Sequence, residues 1–134
     1  MLDKKLVISI AVAVVLGMVA GFVVHGTILH GEYARLPHLM RSEEAAHQLM
    51  GLMLLAQLSW STGFCWIYAR GREAKPWLGQ GFRYGIAVCL LAVVPVYLIY
   101  YVVMPFPSDL VAQQIVYDSI CTIVIAIVVA WIHR

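Results

Sequence analysis

Leu110-Val-Ala-Gln-Gln-Ile-Val-Tyr-Asp-Ser-Ile-Cys-Thr-Ile-Val-Ile-Ala-Ile-Val-Val-Ala-Trp-Ile132 contains one acid, Asp118, and no Lys or Arg. At about 1.5 Å of rise per residue, a helix of this length crosses the roughly 30 Å of hydrocarbon in a bilayer. Three further runs have the same character: about Leu6 to Thr27, His47 to Ala69 and Phe82 to Met104, with Arg83 at the edge of the last. Across 134 residues, 63% are hydrophobic and 12% charged, which is outside the range of a soluble domain. The reading is one all-α transmembrane domain, residues 1–134, folded as an integral membrane four-helix bundle.

The connections follow from the runs. Residues 28–46 and 70–81 form loops, and the five residues Pro105-Phe-Pro-Ser-Asp109 are so short a link that the third and fourth helices must form an antiparallel hairpin. Cytoplasmic flanks collect Lys and Arg. Lys4, Lys5, Arg70, Arg72, Lys75, Arg83 and Arg134 fall on one side, against Arg35 and Arg41 on the other. The expected topology is up-down-up-down with both termini cytoplasmic. Trp66, Trp77, Phe82 and Trp131 gather at the same end, as an interfacial aromatic belt would.

In the first helix Gly17, Gly21 and His25 recur every four residues, so the two glycines make a GxxxG face suited to close helix packing. In the second, His47, Gly51, Leu54, Leu58, Thr62 and Cys65 share a stripe, and Gly51 is expected at the packing interface with Gly17 and Gly21. His25 and His47 stand at matching outer depth. Two imidazoles so placed are candidate axial ligands for a b-type haem, or ligands for a metal ion, against the plainer reading of wetted interfacial histidines. The outer loop adds His30, Glu32, His38, Glu43 and Glu44, without a recognised ligand motif, and Ser42 with the two following acids reads as a helix N-terminus.

Asp118 lies about 12 Å from the outer end of its helix, where a carboxylate costs about 2.5 kcal/mol or more to insert and should face the bundle interior. Gln114 and Tyr117 lie beside it, while Gln57 and Tyr97 come to similar depth from the second and third helices, with Tyr101 one turn beyond Tyr97. These six residues are expected to form a buried polar cluster. With no Lys or Arg in the membrane, Asp118 should be protonated, hydrogen-bonded, or paired with His25 or a bound cation. Pro95 should kink the third helix near its middle.

Other classes find little support. Nine Lys and Arg against seven acids, scattered along the chain, make no nucleic-acid footprint. Cys65, Cys89 and Cys121 lack CxxC spacing and read as thiols. The N-terminal run is too long for a signal-peptide core and lacks a clean small-x-small cleavage site. No nucleophile stands at a useful spacing from a base, so the chain leans away from enzymes.

Three segments carry a family resemblance: Gly21-Phe-Val-Val-His-Gly26, the stretch from Tyr68 to Gly85 (YARGREAKPWLGQGFRYG), and Tyr97-Leu-Ile-Tyr-Tyr-Val-Val-Met-Pro-Phe-Pro107. Together they resemble a group of small uncharacterised bacterial proteins with four transmembrane helices. The resemblance implies that topology and a bacterial inner membrane, and brings no mechanism.

The leading functional expectation is a non-enzymatic accessory or structural subunit of a larger membrane complex, or a self-associating homo-oligomer, joined through the GxxxG face. The first alternative is a small proton-coupled transporter or channel-like protein using Asp118. The second is a haem or metal protein using His25 and His47.

Overall fold

The computed structural model describes residues 3–134, and every described element is a helix. Asp3 accepts a hydrogen bond from the Lys5 amide at 3.0 Å and starts α1, Lys4–Val23, which widens into a π turn over Val24–Ile28. Two short helices follow, α2 (His30–Ala34) and α3 (Glu43–Gln48), then α4 (Met50–Gly71). The third long helix comprises α5 (Trp77–Val88), a π turn over Cys89–Val93, and α6 (Val94–Val103). The chain ends with α7, Ser108–Ile132. Four helices are long and apolar enough to cross a membrane: Lys4–Ile28, Met50–Gly71, Trp77–Val103 and Ser108–Ile132.

The surface agrees with a lipid solvent. Val102 is 85% exposed, Leu91 76% and Phe22 72%, surroundings that such side chains would not keep in water. Pro95 sits at the start of α6, directly after the π turn. A proline has no amide hydrogen, and its ring crowds the carbonyl four residues back, so the wider turn at 89–93 absorbs the break expected there.

The closest helix contact is α5 on α7. A β-carbon on Gly85 would lie 2.8 Å from Ile123 Cα, and one on Gly81 would lie 2.8 Å from Ala130 Cβ and 3.0 Å from the Ala126 carbonyl. Gly81 and Gly85 form a GxxxG pair facing the small residues Ala126 and Ala130, so the backbones approach to dispersion contact. The α1 glycines behave otherwise. Gly17 faces the Gln57 side chain of α4, and Gly21 has no neighbouring atom within 4 Å of where its β-carbon would stand. Gly51 is exposed with equally open surroundings, so within the chain it belongs to no seam.

The helix-two stripe also faces differently from expectation. Leu49 interrupts the helix after Gln48, and Gly51, Leu54, Leu58 and Thr62 are exposed. The buried side of α4 is instead Ser61, Phe64, Cys65 and Tyr68. Ser42 does cap a helix, accepting from the Ala45 amide at 3.3 Å, but that helix is the six-residue α3, separate from the span.

Two clusters hold the ends. At the end carrying both termini, Ala13, Phe64, Cys65, Tyr68, Ile125, Ala126, Val129 and Ala130 pack together. There α4 and α5 meet through aromatic rings: Phe64 and Tyr84 lie 4.8 Å apart, Tyr68 and Tyr84 5.3 Å, and the Tyr84 hydroxyl donates to the Phe64 carbonyl at 2.6 Å. At the other, loop end, Val24, Leu29, Leu36 and Leu110 are buried together, so the segment after α1 folds under the bundle as a lid.

Candidate functional site

Asp118 of α7 faces inward toward the π turn of α1. Its Oδ1 is 3.0 Å and its Oδ2 3.2 Å from His25 Nε2, and Tyr97 of α6 donates its hydroxyl hydrogen to Oδ2. On the far side of the imidazole, Nδ1 is 2.7 Å from the Tyr33 hydroxyl of α2, which accepts a hydrogen bond from Gln114 Nε2 at 2.9 Å. The result is one chain of contacts from the loop end into the bundle: Gln114, Tyr33, His25, Asp118, Tyr97. Four separate elements contribute to it.

The placement has a local cause. His25 is the second residue of the π turn, where the backbone leaves the 3.6-residue period, and it still lines one cavity with Gly17 and Gly21. Thr27 supports that turn, its hydroxyl donating to the Phe22 carbonyl at 3.3 Å. The π turn at 89–93 and Pro95 similarly precede Tyr97 in the third span. Both irregularities therefore adjoin the polar site, a frequent position for π turns.

Hydrogen-bond direction limits what the network can hold. Gln114 can only donate through its nitrogen, so Tyr33 accepts there and keeps its own hydrogen for His25 Nδ1. In that state Nε2 carries the ring proton and donates to a carboxylate already receiving Tyr97. Adding one proton to Nδ1 reverses only the Tyr33 contact: Nδ1–H donates, and Tyr33 accepts from both neighbours. The two states differ by one proton and a hydroxyl rotation. Burial, followed by the negative charge of Asp118, raises the Tyr33 phenol above its ordinary value of 10, although the bond from Gln114 works the other way. Tyr33 thus remains a phenol, able to donate or accept at ordinary pH.

A cavity of about 350 Å³ opens beside this network, lined by Gly21, His25, Gln57, Trp60, Tyr97 and Asp118 among others, with no Lys or Arg in its wall. That volume falls within the range of small-molecule sites. Gln57 belongs to the cavity wall without bonding Asp118; its amide donates to Ser61 Oγ at 3.1 Å. Two residues placed in the cluster from the sequence lie elsewhere. Tyr101, one turn nearer the loop end than Tyr97, is exposed on α6, and Tyr117, the neighbour of Asp118 and so turned about 100° from it around α7, packs against the loop-end apolar cluster. The cluster of six therefore reduces to Asp118, Tyr97 and Gln114 in the bonded chain, with Gln57 on the wall.

His47 is exposed on α3, and the two nitrogens of His25 are engaged by Tyr33 and Asp118. As a ligand to haem iron or a metal ion, His25 would have to give up one of these two bonds. Among the described residues no three His, Cys, Asp or Glu side chains converge as a metal site.

Two arrangements escaped the sequence reading. Tyr33 sits in a segment read as loop, and its only signal was an aromatic polar residue eight positions after His25. At the terminal end, Ser9 Oγ lies 3.1 Å from His133 Nε2, both fully or almost fully buried. Ser9 already donates its one hydrogen to the Leu6 carbonyl at 2.8 Å, so it accepts from Nε2–H and the imidazole cannot serve it as a base. Burial and then the nearby Arg72 charge lower His133 from its ordinary value of 6.5. The pair is a structural clamp, reinforced where Arg72 donates to the His133 carbonyl and Lys5 Nζ to the Arg134 carbonyl at 2.7 Å.

Comparison with protein-family models, curated proteins and solved structures gives no match, so the resemblance carried by Tyr68–Gly85 and its companion segments gains no support from them.

Proposed function

We propose that the chain is a multi-pass protein of the bacterial inner membrane, with helices alternating in direction and both termini cytoplasmic, and that it acts as a small proton-coupled transporter through Asp118. The orientation rests on Lys4, Lys5, Arg70, Arg72, Lys75, Arg83 and Arg134, which flank the end where α1 and α7 are clamped together. The bacterial assignment rests on the resemblance alone.

One observation carries the functional reading: an intramembrane acid bonded to a histidine, with a tyrosine behind the histidine toward the loops and a cavity in front of the acid. A carboxylate in this position is expensive in lipid and is kept where it is used. A proton arriving from the loop side meets Tyr33 and then Nδ1, while the Asp118 carboxylate faces the cavity. Protonation of the imidazole neutralises the pair; its loss leaves a negative site able to take a solute.

Proteoliposomes loaded with a pH-sensitive dye test this. Under an imposed pH gradient, solutes of several classes (monovalent cations, amines, carboxylates, sugars) are added in turn. At least one class should dissipate the gradient with wild-type protein and leave it intact with Asp118→Asn or His25→Ala. Dissipation that persists in Asp118→Asn, or that no solute class produces, overturns the reading.

A second reading, an accessory subunit or homo-oligomer, is favoured by the loop-end half of α4, where Leu49 to Leu55 are all exposed. Protein that stays monomeric in nanodiscs and copurifies with no other chain would remove that reading.

A further inference from the structure

We infer that the cavity beside Asp118 takes an amphiphilic monovalent cation, a lipophilic amine or onium group, which enters sideways from the membrane between α4 and α6. The inference rests on the proton-coupled reading of the same site and adds the substrate class and its route.

The route follows from where the helices touch. On the terminal half, α4 and α5 are tied by Phe64, Tyr68 and Tyr84. On the loop half, α4 from Met50 to Ala56 and α6 from Leu98 to Val103 are exposed throughout, and among the described residues no hydrogen bond or ring contact joins the two helices across the gap. The cavity lies just inside that gap, with Gln57 and Trp60 on one bank and Val96 and Tyr97 on the other. The loop end itself is covered by the buried Leu29 and Leu36. A solute therefore reaches Asp118 most directly through the acyl region, which selects for an apolar body.

The charge of the head group follows from the donors and acceptors. Both bonded neighbours of the carboxylate, Tyr97 and His25 Nε2, are donors that point at Asp118 rather than into the cavity. What the cavity wall offers besides His25 is the Asp118 carboxylate and Trp60, whose ring stacks on Phe64 at 4.5 Å, with no Lys or Arg. Negative charge and an aromatic face together suit a cation that is poorly hydrated. From α1 the wall includes Gly17, Ala20 and Gly21, and no atom lies within 4 Å of where a β-carbon on Gly21 would stand, which leaves room for a bulky group.

Charge balance ties binding to the proton. Facing His25 and Asp118 from the packed elements are Tyr33 of α2, Tyr97 of α6 and Cys121 of α7, all neutral as hydroxyls or thiol, and no Lys or Arg. With imidazolium beside carboxylate the site is neutral. Arrival of one cation, with loss of the Nδ1 proton through Tyr33, leaves it neutral again. Binding of one cation thus releases one proton, and no uncompensated charge is held in the membrane.

The test uses tetraphenylphosphonium and its shape-matched anion, tetraphenylborate, on detergent-purified full-length protein in weak buffer. The phosphonium should bind with release of about one proton, and its affinity should rise by up to about tenfold per pH unit while the site is protonated. Asp118→Asn, checked by circular dichroism for retained helix, should abolish binding. Trp60→Leu should weaken it several-fold without changing proton release. Gly21→Leu, which fills the cavity from a position with open space, should also weaken it. Equal binding of tetraphenylborate, binding without proton release, or full binding by Asp118→Asn overturns the inference. If the proteoliposome assay shows Asp118-dependent exchange for another solute class while tetraphenylphosphonium does not bind, only the substrate class falls; if neither occurs, the proton-coupled reading falls with it.

Discussion

Replacing Gly85 by Ala should destabilise the bundle, whereas the same change at Gly21 should not. At Gly85 the new methyl would stand 2.8 Å from Ile123 Cα and 3.1 Å from Ala126 Cβ. Carbon atoms in contact prefer about 3.5 to 4.0 Å, so the helices must separate by several tenths of an ångström, and the nearest obstacle is backbone, which cannot rotate aside. Overpacking of this kind costs about 1 to 3 kcal/mol. Against it stands the helix preference for Ala over Gly, about 1 kcal/mol. The net expectation at Gly85 is a loss of up to about 2 kcal/mol. At Gly21 no atom lies within 4 Å, so only the preference remains and the variant should be as stable as wild type or up to about 1 kcal/mol more so. Gly17→Ala should fall between, because the obstacle is the Gln57 amide, which can swing away at the expense of its bond to Ser61. Reversible unfolding in mixed micelles, followed by tryptophan fluorescence and circular dichroism, measures the series. If Gly85→Ala is no less stable than Gly21→Ala, the close α5–α7 seam is not what holds these helices.

Tyr33→Phe should cost about 1 to 3 kcal/mol, because the buried Gln114 amide and His25 Nδ1 each lose a partner. It should also slow gradient dissipation, while Tyr101→Phe, which alters an exposed hydroxyl, should leave both unchanged; a Tyr33→Phe protein exchanging at the wild-type rate would show that the proton takes another path. His133 supplies a pH dependence. Its folded value lies below the unfolded one of about 6.5, so between the two the unfolded chain binds more protons and stability rises with pH. Its contribution is intact above about pH 6.5 and lost as the pH falls toward the folded value, with a slope of at most about 1.4 kcal/mol per pH unit. Unfolding midpoints of wild type and His133→Gln compared across pH 7.5 to 5 isolate this group, and identical slopes would refute it.

The four apolar helices were legible in the sequence because crossing a bilayer is a local requirement: enough consecutive apolar residues, with few charges, whatever lies beside them. Asp118 was legible for the same reason, since an acid in such a run is costly wherever the neighbours stand. Its depth, together with that of Tyr97, brought both to the centre of the network. Facing was harder to read. In water a helix marks its buried side with apolar residues, but in lipid both sides are apolar and that periodic signal disappears. Two GxxxG pairs were present, Gly17–Gly21 and Gly81–Gly85, and nothing in either one says which meets a partner with small residues of its own. Only the tertiary structure set Gly81 and Gly85 against Ala130 and Ala126, and left Gly21 beside a cavity. Tyr33 and His25 show the same division. Their residue types announce hydrogen-bonding capacity, but a π turn and a folded loop were needed to line up their nitrogen and oxygen atoms between Gln114 and Asp118. Hydropathy along the chain decides what enters the membrane; contacts between residues up to 93 positions apart decide what the protein can hold there.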